Sequence, residues 1–137
     1  MILVDSNILI DIFEEDENWL GWSLGALDDA VLTGRVAINP IIVAEVAPKT
    51  GSLAAFLDAL QTLKIEIAPL SEEAAYAGGC AFLDHRQNGG KAKSILADFL
   101  IGGHAQALGA TILTRDPRFY QAYFPTVPLI APSKDEE

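Results

Sequence analysis

Between Ile95 and Phe119 the chain places a lone acid, Asp98, inside a strongly apolar helical pattern and a second acid, Asp116, just past an apolar run. Ile95, Leu96, Phe99, Leu100 and Ala107 recur at helical spacing, and Gly109 stands where a helix C′ glycine belongs. Ala110 to Leu113 is short and apolar and ends in Thr114 and an Asp-Pro turn signal, which predicts a strand. Asp is rarely buried unless it is paired or bound to a metal. In open parallel sheets, ligands gather at the carboxyl ends of strands. A helix carrying one acid, followed by a strand delivering another, therefore points to a strand–helix fold with a polar site on one sheet edge.

The rest of the chain repeats this alternation. Met1 to Val4 reads as an opening strand, and Asp5-Ser6-Asn7 supplies helix caps before Ile8, Leu9, Ile12 and Phe13. Asp5 thus falls at the end of the first strand, although a plain helix cap would explain it too. Asn18 is expected to cap a helix to about Thr33, closed by Gly34, with Leu20, Leu24, Leu27 and Val31 as its stripe. Trp19 and Trp22 lie off that stripe. Packing in the core is the simpler reading, and a partner surface is the alternative.

Arg35 to Asn39 predicts the second strand, and Pro40 opens a helix that Pro48 stops. Glu45 is the one charge in that helix, as Asp98 is in its own. Leu53, Phe56, Leu57, Leu60 and Leu63 define a further amphipathic helix, and Ile65 to Leu70 a third strand. Ser71 caps a helix to about Leu83, followed by a polar loop from Asp84 to Lys93. That loop is no P-loop: His85 replaces the required glycine, and Ala92 the Ser or Thr. A helix from Ser94, the strand to Leu113 and a last strand from Thr126 to Ile130 complete the pattern. The expected architecture is α/β, a three-layer α/β/α sandwich around a mostly parallel sheet.

At 137 residues the chain suits one domain, expected over residues 1–132, with an acidic and disordered tail at 133–137. Half of it is hydrophobic and 20% is charged, which excludes a disordered protein. No apolar run approaches the roughly 18 residues of a membrane helix, and the start has no basic n-region, so neither membrane nor signal peptide is expected. Cys80 is the one cysteine, which fits a reducing cytoplasm; it reads as a small core residue. Net charge is −10, an unfavourable balance for general nucleic-acid binding. The charge is uneven, however. Residues 1–34 hold eight acids and no Lys or Arg, whereas Arg86 to Arg118 holds five basic residues against Asp98 and Asp116. Ordinary surface charge explains that excess equally well.

Asp5, Glu45, Asp98 and Asp116 form the candidate constellation. Four carboxylates brought together repel and hold raised pKa values, a cost that a divalent cation removes. Hard ions such as Mg²⁺ and Mn²⁺ prefer oxygen ligands, and the sequence offers no Cys or His cluster for a softer one. Such a centre suits phosphodiester hydrolysis, with a metal separation of roughly 3.5–4 Å where two are bound. Asn7 and Thr114 are polar neighbours placed to orient ligands or water. Arg86, Lys91, Lys93 and Arg115 are placed to hold a nucleic-acid backbone. His104 reads as a helix residue and not as a general base.

Val-Asp5-Ser-Asn7-Ile-Leu-Ile-Asp, Glu45 after the second strand, Asp98-Phe-Leu-Ile-Gly-Gly-His-Ala and Leu-Thr114-Arg115-Asp116-Pro-Arg-Phe119 resemble, in that order, the motifs of the PIN domain. The closest likeness is to the VapC-type toxins of toxin–antitoxin pairs, and it spans Met1 to about Pro132. The resemblance implies an endoribonuclease dependent on Mg²⁺ or Mn²⁺. Its metal ligands would be Asp5, Glu45, Asp98 and Asp116, supported by Asn7 and Thr114. It also implies a cognate antitoxin that blocks the site, and a homodimer. Gly102-Gly103 departs from the stiffer helix that Ala would give Asp98. Two other readings stand beside it. One is a PIN-like partner-binding module without catalysis. The other is a flavodoxin-like phosphoacceptor, which the absence of a Lys closing the last strand counts against.

Overall fold

A computed structural model describes residues 1–89 and 96–133. Ser94 and Ile95, where the sixth helix was expected to begin, lie outside these residues, as do Lys91, Lys93 and most of the acidic tail. Among the described residues the elements run β1 (Ile2–Val4), α1 (Ser6–Phe13), α2 (Leu20–Thr33), β2 (Val36–Ile38), α3 (Pro40–Val46), a 3₁₀ turn (Ala47–Thr50) and α4 (Leu53–Leu63). They continue with β3 (Glu66–Ile67), α5 (Glu72–Gln87), α6 (Leu96–Leu108), β4 (Thr111–Leu113), α7 (Arg118–Tyr123) and β5 (Leu129–Ile130). Helices cover both faces of the sheet, giving the three-layer α/β/α sandwich that the alternation predicts.

The strand order is β3-β2-β1-β4-β5, and every described pair is parallel. β1 is central: Leu3 stands opposite Ala37 of β2 on one side and Ile112 of β4 on the other. All three residues are fully buried, as an apolar strand covered on both faces requires. The carboxyl ends of β1, β2 and β4 deliver Asp5, Asn39 and Thr114 to one edge of the sheet.

Several elements differ from their sequence signals. β3 shrinks to two exposed residues, because only Ile65 and Ala68 beside it reach the core. α2 begins at Leu20 and not Asn18. The carboxylate of Asp16 takes the amide protons of Asn18 and Trp19, both at 2.9 Å, and so fixes the entry. Its buried stripe is Ser23, Leu27 and Ala30, with Leu24 turned outward. α5 runs on through the expected loop to Gln87, since His85 packs inward against Phe99 and Tyr123, with ring centroids 5.4 and 4.9 Å away. Cys80, expected in the core, is exposed on that helix. α7 has no counterpart in the sequence reading, and β5 is shorter than expected.

The Gly102-Gly103 pair is a packing device. A Cβ on Gly103 would lie 2.3 Å from the backbone nitrogen of Gly78, and one on Gly102 would lie 2.3 Å from the Phe124 ring. A Cβ on Gly78 would in turn stand 2.6 Å from the Phe99 carbonyl oxygen. α5 and α6 therefore touch backbone to backbone, and this close crossing fixes the helix on which Asp98 sits.

Candidate metal centre

Asp5 directly follows β1 and is the N-cap of α1. Its backbone is extended (φ −71°, ψ 154°) and its Oδ1 accepts from the Ser6 amide at 2.7 Å. Oδ2 accepts from the Thr114 hydroxyl at 2.8 Å and the Tyr120 hydroxyl at 3.0 Å. Burial pushes the Asp5 carboxyl above its ordinary value; the bonds from Thr114, Tyr120 and Ser6 oppose this, and the Glu45 charge adds to it.

Glu45 comes from α3, whose start is set by Asn39: its side-chain oxygen accepts from the Ile42 amide at 3.0 Å, and Pro40 follows it. The Ser6 hydroxyl donates to Glu45 Oε1 at 2.6 Å, so the first and third helices are joined at the acids. Asp98 stands near the start of described α6, and Asp116 is exposed after β4. These four carboxylates, with Ser6, Asn7 and Tyr120, line one cleft of about 260 Å³ whose apolar wall is Ile10 and Phe119. The structure therefore brings together all four acids that the sequence singles out.

They sense one another. Asp98 is pushed up to about 6, first by burial and then by the negative charges of Asp5, Glu45 and Asp116. Among the described residues, no three acidic, His or Cys side chains converge closely enough to hold one ion as they stand. The fit to a hard divalent cation is one of donor chemistry and placement: oxygen ligands only, three partly buried and Asp116 exposed, lining one cleft.

The supporting residues are tied to the same cluster. Asn7 Nδ2 donates to Thr114 Oγ1 at 3.3 Å, and Asn7 Oδ1 accepts from the Arg115 amide at 3.1 Å. The Asp116 amide donates to Thr114 Oγ1 at 3.1 Å. Thr114 is fully buried and joins three of these groups: its hydroxyl donates to Asp5 and accepts from the Asn7 side chain and the Asp116 amide. Arg115 corrects an expectation. Its guanidinium turns inward to Asp11 and lies over Trp19, 5.1 Å from the ring centroid, so it does not face a substrate backbone. Arg86 lies on α5 over Phe82 at 5.8 Å, away from the cleft walls. Lys91 and Lys93 fall outside the described residues.

His104 is fully buried. Its Nδ1 faces the Asn39 amide at 3.1 Å and so accepts from it, and burial lowers its pKa against an opposing effect of the Pro69 backbone. That makes it a structural residue beneath the site, as its helical position suggests. Ser6, Asp11 and Tyr120 carry roles that sequence reasoning missed. Asp11 had the same signal as Glu45 and Asp98, a lone acid in an apolar helix. Tyr120 had none, because α7 was not foreseen.

A parallel α/β sandwich with a carboxylate cleft at the carboxyl edge of its central strands defines a class of protein by fold and site together. The PIN domain model matches residues 2–125, and the chain belongs to that family. No curated protein matches its sequence. Solved structures share the fold at low identity. VapBC2 from Rickettsia felis, bound to a DNA fragment from its promoter, superposes with a TM-score of 0.76 at 20% identity, covering 97% of this chain and 100% of that one. VapBC-1 from nontypeable Haemophilus influenzae gives 0.71 at 18%, covering 96% and 98%. VapC20 from Mycobacterium tuberculosis, described as a sarcin-ricin loop cleaving toxin, gives 0.64 at 14%, covering 93% and 99%.

Proposed function

We propose that this PIN domain is a metal-dependent endoribonuclease, the toxin of a toxin–antitoxin pair, acting in the cytoplasm as one domain over residues 1–132. The observation that carries this reading is the meeting of Asp5, Glu45, Asp98 and Asp116, from four separate segments, in one cleft. Those four would hold Mg²⁺ or Mn²⁺. When bound, the ion would polarise a phosphodiester and lower the pKa of a water beside it. The chain's own residues prepare the site. Thr114 and Tyr120 fix Asp5, Ser6 fixes Glu45, and Asn7 joins α1 to the β4–α7 turn that carries Asp116. The half-buried Asp98 supplies a carboxylate that gives up its proton more readily when a cation arrives.

The partners follow from the same reading: an RNA substrate, a cognate antitoxin with a basic segment suited to an acidic protein, and a second copy in a homodimer. The structural neighbours support an antitoxin, since several are toxin–antitoxin complexes. The test is cleavage of labelled structured RNAs, tRNA included, with Mn²⁺, with EDTA, and by Asp98→Asn. Cleavage lost in EDTA and in the variant supports the reading. Cleavage that survives both removes the acids from the mechanism.

One observation favours a non-catalytic, partner-binding domain instead. With Arg115 turned to Asp11, no described basic side chain lines the cleft, which leaves RNA phosphates little to hold. Absence of Mn²⁺ binding by calorimetry, together with no cleavage, would select that alternative.

A further inference from the structure

Asp5 carries three hydrogen-bond donors: the Ser6 amide on Oδ1, and the hydroxyls of Thr114 and Tyr120 on Oδ2. An ionised carboxylate offers about two lone-pair positions on each oxygen. Both positions on Oδ2 are therefore filled, one from the end of β4 and one from α7. Oδ1 has one filled. Among the described residues, a single position on Asp5, on Oδ1, has no donor.

Tyr120 is not a spare donor here. Thr114 has one hydroxyl proton and gives it to Asp5, while its lone pairs take the Asn7 and Asp116 N–H groups. Nor is the tyrosine free to swing away. It is 2% exposed, and its ring packs edge-on against Phe119 at 5.2 Å. Phe119 in turn meets Phe99 of α6 edge-on at 4.9 Å. The hydroxyl is held on Oδ2 by the packing of α7.

Resting on the reading of the cleft as a metal centre, we infer that Tyr120 is a positioning residue that sets ion selectivity: by closing Oδ2 it limits Asp5 to one-oxygen ligation through Oδ1. Mg²⁺ takes single oxygens in near-octahedral array at about 2.0–2.1 Å, and Mn²⁺ favours the same octahedral oxygen set. Ca²⁺ takes six to eight oxygens at about 2.3–2.6 Å and readily uses both oxygens of one carboxylate. A half-closed Asp5 suits the smaller ions and denies Ca²⁺ a bidentate ligand.

The test titrates Mn²⁺ and Ca²⁺ separately into wild type and Tyr120→Phe by calorimetry, with thermal unfolding in EDTA to check the fold. Phe keeps the ring and removes only the hydroxyl. The expected result is a roughly ten-fold loss of Mn²⁺ affinity, the usual scale for an outer-shell partner, with Ca²⁺ affinity unchanged or higher. The preference for Mn²⁺ then shrinks about ten-fold or more. Equal changes for both ions, or none, would overturn the inference while leaving the metal reading intact. A folded wild type that binds neither ion would overturn both. Thr114→Ala opens the other Oδ2 position with the tyrosine ring untouched; it should shrink the same preference, and it carries the test if Tyr120→Phe does not fold.

Discussion

Arg115 grips Asp11 with two parallel hydrogen bonds, Nε to Oδ2 at 2.8 Å and Nη2 to Oδ1 at 3.0 Å. Asp11 is 1% exposed and also takes the Ser23 hydroxyl at 2.7 Å, so α1, α2 and the β4–α7 turn meet at this one carboxylate. Removing one partner of a buried pair strands the other charge, typically at about 3–5 kcal/mol. Since the Arg115 side chain is 31% exposed, water softens the loss. Arg115→Met is expected to lower unfolding free energy by about 2–3 kcal/mol in urea, scaled down from that buried-pair range. The double variant Asp11→Leu/Arg115→Met should recover part of this, because no lone charge remains. Equal loss in single and double variants would show that packing, and not charge, holds the turn.

The glycines give predictions of opposite sign. At Gly103 a Cβ would meet the backbone of α5, which cannot retreat without unpacking the helix pair. Gly103→Ala should destabilise by at least the roughly 1–3 kcal/mol of core overpacking. Gly25 lies within α2, and a Cβ there meets nothing within 4 Å. Gly25→Ala should stabilise by about 0.5–1 kcal/mol through helix propensity. Chemical denaturation of both variants checks the pair, and a destabilised Gly25→Ala would mean that the α2 surface is packed against something.

Ser6 offers a cleaner probe of the acids. Its hydroxyl donates to Glu45 Oε1 at 2.6 Å and is nearly buried. Ser6→Ala keeps the α1 backbone and the Asp5 cap, which uses the Ser6 amide. If Glu45 holds a cation, loss of its orienting partner should weaken Mn²⁺ binding about ten-fold. Unchanged affinity by calorimetry would take Glu45 out of the ligand set.

The sheet and the acids were legible because both rest on local signals. β1, β2 and β4 are short apolar runs between capped helices, and Glu45 and Asp98 stand out as lone charges in apolar helices. What escaped depends on distant contacts. Arg115 reads as a surface base until α2 brings Ser23 and Trp19 alongside Asp11 and the turn. Gly102 and Gly103 read as helix weakness until Gly78 and Phe124 arrive from elsewhere in the chain. Tyr120 sits beyond an Asp-Pro turn in a six-residue helix, too short for periodicity to show. Its role needs the position of Asp5, 115 residues earlier.

Asp98 ties stability to pH in a direction opposite to that of a paired carboxylate. Its folded value is about 6 against an ordinary 3.8, so the folded protein holds this proton more tightly than the unfolded chain does. The stabilisation is complete below the unfolded value and is lost as pH rises through about 4 to 6. In EDTA, wild type should therefore lose more stability between pH 4.5 and 7 than Asp98→Asn, which cannot titrate there. A cation competes with the same proton, so Mn²⁺ affinity should fall as pH drops from 7 to 5. At pH 7.5, saturating Mn²⁺ should raise the melting temperature of wild type far more than that of the variant. Parallel pH curves for the two proteins in EDTA would show that neither burial nor the neighbouring acids raise the Asp98 carboxyl. A Mn²⁺ shift equal in both would place any bound ion elsewhere.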